Sequence, residues 1–210
     1  LVADAEQWQR FTGFKRIRAG YPDGVDTVSM EDRSDIAAAL DGDERAFTRL
    51  VRRYEAEIAK QMWRFTRDPA VLEELTHEVF IEIYASLARF RGDAPLLHWM
   101  RRIATRTGYR HWKREARDRA RRAALDTLTN APPPENPTPS EAAEFAYRAL
   151  ETLETKDRLV LTLLYFEECD TNEIAERMGW SRPLVKVRAH RARQKLKTQL
   201  EAAGYGRTPT

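Results

Sequence analysis

The chain has 210 residues, of which 33% are charged and 42% hydrophobic, a composition typical of a soluble helical protein rather than a disordered or fibrous one. No apolar run approaches the roughly 18 residues that a transmembrane helix requires, and the single cysteine, Cys169, cannot form an internal disulfide. The first residues lack the pattern of a secretory signal, so we expect a cytoplasmic protein without a membrane span.

The net charge of +3 is unevenly distributed along the chain. Residues 101–122 contain ten Lys or Arg and two acids, and residues 182–197 contain seven Lys or Arg and no acid, which leaves the rest of the chain acidic. Two basic helices on an acidic body indicate two contacts with nucleic acid, because a clustered charge creates a field that a polyanion can feel. The alternative is that each basic run is only a solvated helix face.

Apolar residues at spacings of three and four predict helices in the first part of the chain. Ile36–Phe65 is predicted to form a helical hairpin that is broken at Asp41–Asp43. A second apolar stripe predicts a helix over Val71–Leu87. A loop over Arg91–Pro95 is then followed by a long basic helix over Leu96–Arg122. Together these elements predict a bundle of three or four helices.

A proline-rich segment over residues 126–140 divides the chain and holds five of its ten prolines. Because proline removes backbone donors and favours extended conformations, we predict a semi-rigid, exposed spacer there. Helices are predicted beyond it at Ala142–Leu153 and Lys156–Glu167. The fold class is therefore predicted to be all-α, with two helical domains joined by a Pro-rich linker.

A helix-turn-helix pattern follows in the second domain. Asp170 is a good N-cap with Glu173 three residues later, Gly179 supplies a turn, and Ser181 caps a longer basic helix. A short helix, a glycine turn and a second, basic helix are typical of a motif whose second helix enters the major groove. A plain helical hairpin is the alternative.

Four segments taken in order resemble the extracytoplasmic-function group of sigma factors, which are small bacterial transcription initiation factors. They are Gly42–Tyr54, Glu73–Tyr84, Ala88–Ala104 and Leu153–Leu196. The resemblance implies these domains: an unmatched N-terminal extension (1–29), a region 2-like bundle (30–125), the linker (126–140), a region 4-like helix-turn-helix (141–203) and a frayed tail (204–210). It also implies core RNA polymerase, promoter DNA and an anti-sigma factor as partners, and no cofactor or metal.

The resemblance assigns roles to three groups of residues. The helix over Val71–Tyr84 would dock on a coiled coil of the polymerase, with acids supplying charge complementarity and an aromatic side chain supplying a buried anchor. The candidates for this docking are Glu73, Glu74, His77, Glu78 and Phe80.

The loop after this helix and the long basic helix would open the minus-10 promoter element and hold a base flipped out of the strand, an arrangement that needs a polar pocket and a cationic groove. The candidates in this second group are Arg91, Asp93, Arg101, Arg102, Arg106, Tyr109, Arg110, Trp112 and Lys113. Of the aromatics, Tyr109 and Trp112 are predicted as stacking surfaces and Trp99 as core.

The last basic helix would read the minus-35 element in duplex DNA, through base edges near its start and phosphates further along. The candidates in this third group are Arg182, Leu184, Lys186, Arg188, Arg191, Lys195 and Lys197.

Two other function classes compete with this interpretation. An enzyme is disfavoured because His77 and Glu78 open like the zinc motif HExxH, but Ile81 stands where the second histidine would be. A stand-alone helix-turn-helix regulator would bind duplex DNA without polymerase. That alternative leaves the acidic helix around Glu73 and Glu74 without a role.

Overall fold

A computed structural model describes residues 28–123 and 147–202. All elements in these two ranges are helical, which confirms the predicted all-α class. By their contacts, the residues fall into two compact units, which meet in sequence between Glu115 and Ala116. The linker over residues 126–140, the first 27 residues and the tail over residues 204–210 lie outside the described ranges, so the predicted domain boundaries stay predictions.

Four helices and a short 3₁₀ turn make up the first unit. The helices are α1 (Met30–Leu40), α2 (Glu44–Met62), α3 (Pro69–Ser86) and α4 (Leu96–Ala123), the last of which continues past the boundary at Glu115, and the 3₁₀ turn covers Leu87–Arg89. Its fully buried apolar side chains include Leu50, Ile58, Met62, Phe65, Ile83, Leu96 and Met100, and α1 contributes the buried Ala39 to a smaller cluster with Ala46 and Leu87. The predicted hairpin, the helix after Pro69 and the long basic helix are all present.

Helix α1 begins at Met30, six residues before the predicted start at Ile36. The Ser29 side chain caps it by accepting a hydrogen bond from the Asp32 backbone N–H at 3.0 Å. Its inward positions include two acids, Asp32 and Asp35, rather than apolar residues alone. The helix was therefore missed in part because its buried face is polar and gives no apolar periodicity.

Charge pairing with α2 holds these two buried acids. Asp35 accepts hydrogen bonds from Arg49 at 2.7 Å and from Arg53 at 2.9 Å, and the Tyr54 hydroxyl donates to Asp32 at 2.7 Å. Burial alone would raise the pKa of Asp35, but the two arginines outweigh that effect and lower it. Burial and the bond to the Asp32 carboxylate raise the pKa of Tyr54.

The second unit contains a short helical stretch at residues 147–151 and three further helices. These are α5 (Thr155–Tyr165), α6 (Thr171–Met178) and α7 (Arg182–Ala202). Its core includes a cluster of Leu150, Leu153, Leu161, Ala192, Leu196 and Leu200. The first helix predicted here, Ala142–Leu153, is described only from residue 147 onward.

Helices α6 and α7 are joined as the sequence predicts. Asp170 and Glu173 form the reciprocal capping box of α6, and Gly179 ends that helix with a left-handed φ of 67°. The Ser181 hydroxyl accepts a hydrogen bond from the Leu184 backbone N–H at 3.4 Å in the first turn of α7. The predicted helix-turn-helix is thus confirmed as a local structure.

Candidate nucleic-acid and polymerase interfaces

Helix α7 packs one face into the second unit and leaves the opposite face exposed. Its buried positions are Val185, Ala189, Ala192, Leu196 and Leu200. Of the predicted duplex-contacting residues, Arg182, Leu184, Lys186 and Arg191 are exposed. Because α7 contains no acid before Glu201, this exposed face is cationic along most of its length.

Arg188, predicted as a duplex contact, is paired within the second unit. Its guanidinium donates to the buried carboxylate of Asp157 at 2.9 Å and lies 3.3 Å from Glu154, and only 20% of the side chain is exposed. Arg188 therefore anchors α7 to α5 instead of facing solvent. Sequence spacing placed Arg188 beside the exposed cations. No local pattern indicated that an acid on another helix would form an ion pair with it.

Two further cations of α7 also pair within the second unit. The Lys195 ammonium lies 3.0 Å from the other carboxylate oxygen of Asp157, while about half of the side chain stays exposed. Lys197 lies 3.8 Å from Glu201, one turn further along the helix. Lys195 and Lys197 remain accessible candidates for phosphate contacts, with part of their charge already compensated.

Val187 and His190 were missed by the sequence interpretation. Both are exposed on the same side of α7 as Lys186 and Arg191. Their spacing from Leu184, at three and six residues, is the signal that marks them, because residues three or four apart share a helix face.

The loop between the 3₁₀ turn and α4 presents two of the predicted strand-contacting residues. Arg91 and Asp93 are both exposed, on either side of Gly92, whose φ of 75° favours glycine. Val28 packs beneath this glycine, since a Cβ added there would lie 3.8 Å from the Val28 Cγ2. The loop therefore rests on a buried support while its charged side chains point outward.

Only part of the predicted basic face of α4 is directed to solvent. Arg102, Arg106 and Lys113 are exposed, and the Lys113 ammonium lies over the half-buried Tyr109 ring at 5.7 Å from its centroid. Arg101 is half-buried and pairs with Glu57 on α2 at 3.0 Å. Its charge is thus used within the bundle.

Arg110 pairs with two acids of α3. Its guanidinium lies 3.2 Å from Glu78 and also contacts Glu82. Arg114 lies 3.3 Å from the second oxygen of Glu78. Glu78 was predicted as a polymerase contact and Arg110 as a DNA contact, but in this structure they bind each other across the helix pair, so neither charge is fully available.

The prediction of Trp112 as a stacking surface is wrong. Its indole is 2% exposed, its ring packs against Phe65 with centroids 4.6 Å apart, and its Nε1 donates to the Phe65 carbonyl at 2.7 Å. An indole with its N–H satisfied and both faces enclosed belongs to the core. Trp99, predicted as core, is half-buried and packs beside Phe90 with a centroid distance of 5.2 Å.

The exposed face of α3 is acidic in its first half and apolar in its second half. Glu73, Glu74 and His77 are exposed as predicted. Ile81 and Tyr84 continue this face and are 56% and 53% exposed, which is high for large apolar side chains. Neither was among the predicted contact residues, although the position of Ile81 outside the apolar stripe of α3 indicates that it is exposed.

Phe80, predicted as the aromatic anchor of the docking helix, is 7% exposed and faces the bundle with Val79 and Ile83. It therefore belongs to the core of the first unit and not to the exposed face of α3. The periodicity that identified α3 also places Phe80 on its inner side.

No group of three or more His, Cys, Asp or Glu side chains in the ranges 28–123 and 147–202 is arranged to hold a metal ion. No described helix is both long and apolar enough to cross a membrane.

Comparison with known proteins matches both units to one family. Residues 50–118 match the model of sigma-70 region 2, and residues 146–196 match that of sigma-70, region 4. The chain is 28% identical over 155 residues to the RNA polymerase sigma factor YlaC of Bacillus subtilis, covering 72% of this chain and 90% of that one. It is 29% identical over 174 residues to the ECF RNA polymerase sigma-E factor of Escherichia coli, covering 76% and 89%.

A solved structure gives the same result. That of CnrH in complex with the cytosolic domain of CnrY aligns with 28% sequence identity and a TM-score of 0.54, covering 82% of this chain and 98% of that chain. Sigma factors are transcription initiation factors and are not catalysts themselves. With region 2 in the first unit followed by region 4 in the second, this chain belongs to the sigma-70 family of RNA polymerase sigma factors, in its extracytoplasmic-function group.

Proposed function

We propose that this sigma factor binds core RNA polymerase through α3 and directs it to promoters through two separate DNA contacts. In this proposal α7 reads the minus-35 element as duplex, and the Arg91–Asp93 loop with α4 opens and holds the minus-10 element. The single observation that carries the proposal is the separation of charge: an acidic exposed face on α3, and acid-free or predominantly basic exposed faces on α7 and α4. An acidic face repels the DNA backbone, so in this proposal it contacts the polymerase instead.

The duplex assignment to α7 is supported by its packing. The helix buries one apolar face on its own unit and presents Arg182, Lys186 and Arg191 outward near its start, where a recognition helix meets base edges. Replacing Arg182 or Lys186 by alanine is expected to weaken minus-35-dependent binding by about 1–3 kcal/mol if a base contact is lost. Formation of the open complex on a pre-melted template is expected to be unchanged. Lys156→Ala, an exposed lysine at the start of α5, is the matched control.

The strand-capture assignment gives the reverse pattern. Arg91→Ala or Asp93→Ala should leave closed complexes intact and abolish the permanganate-reactive open complex, because a flipped base has lost its polar pocket. Arg33→Ala, which removes an exposed arginine from α1, is the control for loss of charge alone. If both sets of variants impaired both steps equally, the division of roles between the units would be wrong.

Polymerase docking on α3 is supported by its exposed acids and by Ile81 and Tyr84 beside them. Reversing Glu73 and Glu74 to lysine should weaken competition with another sigma factor for limiting core polymerase, without lowering the melting temperature. Glu55→Lys is the control, because it makes the same change of charge per site on the exposed side of α2. Unchanged competition by the α3 variant would move the docking surface elsewhere.

A stand-alone regulator is the second candidate function, favoured only by the intact helix-turn-helix. Promoter-dependent run-off transcription with core polymerase tests the two. Transcripts that require this chain support the sigma factor, whereas duplex binding of equal affinity with and without polymerase supports the regulator. An anti-sigma factor is proposed as a further partner, since a complex of a sigma factor with an anti-sigma factor is among the solved structures of the same fold.

A further inference from the structure

Two apolar side chains are exposed within the cationic face of α7. Leu184 is 40% exposed and Val187 is 46% exposed, and both lie in the first two turns of the helix, which begins at Arg182. They are three residues apart and therefore adjacent on one helix face. Lys186 and Arg191 flank them, so an apolar patch sits inside a positively charged surface.

The surroundings of this patch decide which partner suits it. A single exposed apolar residue is ordinary on any protein surface. Here, however, the patch lies at the end of the helix where a recognition helix approaches base edges, and all charged neighbours on that face are positive. Charge complementarity therefore favours a polyanion over an apolar or basic protein surface.

Within the major groove one group is apolar, namely the C5-methyl of thymine. Guanine and adenine present acceptors and donors that suit arginine, lysine, asparagine or glutamine, but leucine and valine satisfy none of these. An aliphatic side chain placed against any other base edge would strip water from polar atoms without replacing their hydrogen bonds.

We infer that Leu184 and Val187 form a thymine-methyl contact that helps to set the sequence specificity of the duplex-reading helix. The inference rests on the proposed function, because it requires α7 to lie in the major groove. It adds a type of specificity that the cations cannot supply. Arg182 and Lys186 would read or clamp polar groups, whereas the aliphatic pair would require thymine at one or two positions of the upstream element.

The test uses holoenzyme assembled from the full chain and core polymerase. The preferred upstream duplex is first selected from a randomised library. Each thymine in it is then replaced singly by deoxyuridine, which lacks only the C5-methyl, and binding is measured as closed complex. One buried methyl predicts that wild-type affinity falls by about fourfold at one or two positions. In Val187→Ala or Leu184→Ala, the thymine-to-uracil ratio at the affected position should fall toward one.

Thr198→Ala is the matched control, because it truncates an exposed β-branched side chain of the same helix eleven residues beyond Val187. It should keep the wild-type ratio. Arg182→Ala should weaken binding to both duplexes equally and also keep the ratio. A thermal melt of each variant checks the fold, which is expected to be unchanged because both aliphatic side chains are exposed.

Three results would overturn the inference. The selected duplex could require no thymine at any position. Removal of each thymine methyl could leave the wild-type affinity unchanged. The loss of affinity on methyl removal could also be the same in Leu184→Ala and Val187→Ala as in the wild type. Failure of the proposed function would look different: Arg182→Ala and Lys186→Ala would then leave the affinity for the upstream duplex unaltered.

Discussion

The contact between Arg188 and Asp157 gives the sharpest test of which cations on α7 are structural. The Asp157 carboxylate is 2% exposed and receives two cations, Arg188 at 2.9 Å and Lys195 at 3.0 Å. Arg188→Ala removes a charged hydrogen bond but leaves the lysine in place. We therefore expect a loss of about 1.5–3 kcal/mol in the stability of the second unit.

Lys195→Ala should cost at most about 1 kcal/mol, because that side chain is half-exposed and its ion pair is screened by solvent. Removing both cations leaves a buried carboxylate with no positive charge from α7, for which about 3–5 kcal/mol is typical. The double variant should therefore lose more stability than either single variant. Amide hydrogen exchange of α5 and α7 in the full chain measures this, since it follows the second unit independently of the first.

Salt dependence of duplex binding distinguishes a structural cation from a phosphate contact. Each phosphate contact contributes a slope of about −0.9 to the logarithmic dependence of affinity on salt. Arg188→Ala should leave this slope unchanged, whereas Lys186→Ala should reduce it by about one where Lys186 meets a phosphate and leave hydrogen exchange intact. If Arg188→Ala reduced the slope and left exchange unchanged, Arg188 would be a DNA contact and not a structural cation.

Three further predictions concern the first unit. Trp112→Phe should cost about 1–3 kcal/mol in chemical denaturation, because the Phe65 carbonyl loses its donor; equal stability would mean that water replaces the indole. Gly108→Ala should lower the melting temperature by a loss of about 1–3 kcal/mol, since its Cβ would lie 2.4 Å from the buried Phe65 ring, and an unchanged melt would contradict that packing. The pKa of Asp35 is lowered from its ordinary value of 3.8, so the ionised carboxylate stabilises the folded state at pH values above 3.8. This stabilisation should be lost as the pH falls below 3.8. An acid titration should show a smaller pH dependence in Asp35→Asn, and equal profiles would exclude this linkage.

Most of the helices could be predicted from the sequence because their signals are local. The capping box at Asp170, the glycine turn at Gly179 and the apolar stripe of α3 each depend on residues within one or two turns. Helix α1 begins six residues before its predicted start. The prediction missed these residues because Asp32 and Asp35, which face inward, give no apolar pattern. A helix whose buried side is held by ion pairs with another helix carries no apolar period, so its boundary depends on tertiary structure.

The candidate sites were predicted less completely, and the errors share one cause. Trp112, Phe80 and Arg188 were assigned by residue type and family position. Trp112 and Arg188 are hydrogen-bonded to residues elsewhere in their units, and Phe80 is buried. The exposure of Tyr84 was not predicted, because this residue fits the apolar stripe of α3, whereas exposure depends on how wide a face the neighbouring helices cover. Ile81 lies outside the stripe, and its exposure agrees with that position.

The basic charge of α7 is less evenly available than its sequence suggests. Seven Lys or Arg in residues 182–197 suggest a uniformly cationic helix. Four of them are engaged inside the second unit: Arg188 and Lys195 with Asp157, Arg193 with the Tyr165 hydroxyl, and Lys197 with Glu201.

The three cations with no side-chain partner among the described residues are Arg182, Lys186 and Arg191, and all lie in the first half of the helix. These three cations therefore lie where base edges would be read, while Lys195 and Lys197 remain accessible with part of their charge compensated. We therefore expect the salt dependence from α7 to correspond to fewer than seven phosphate contacts.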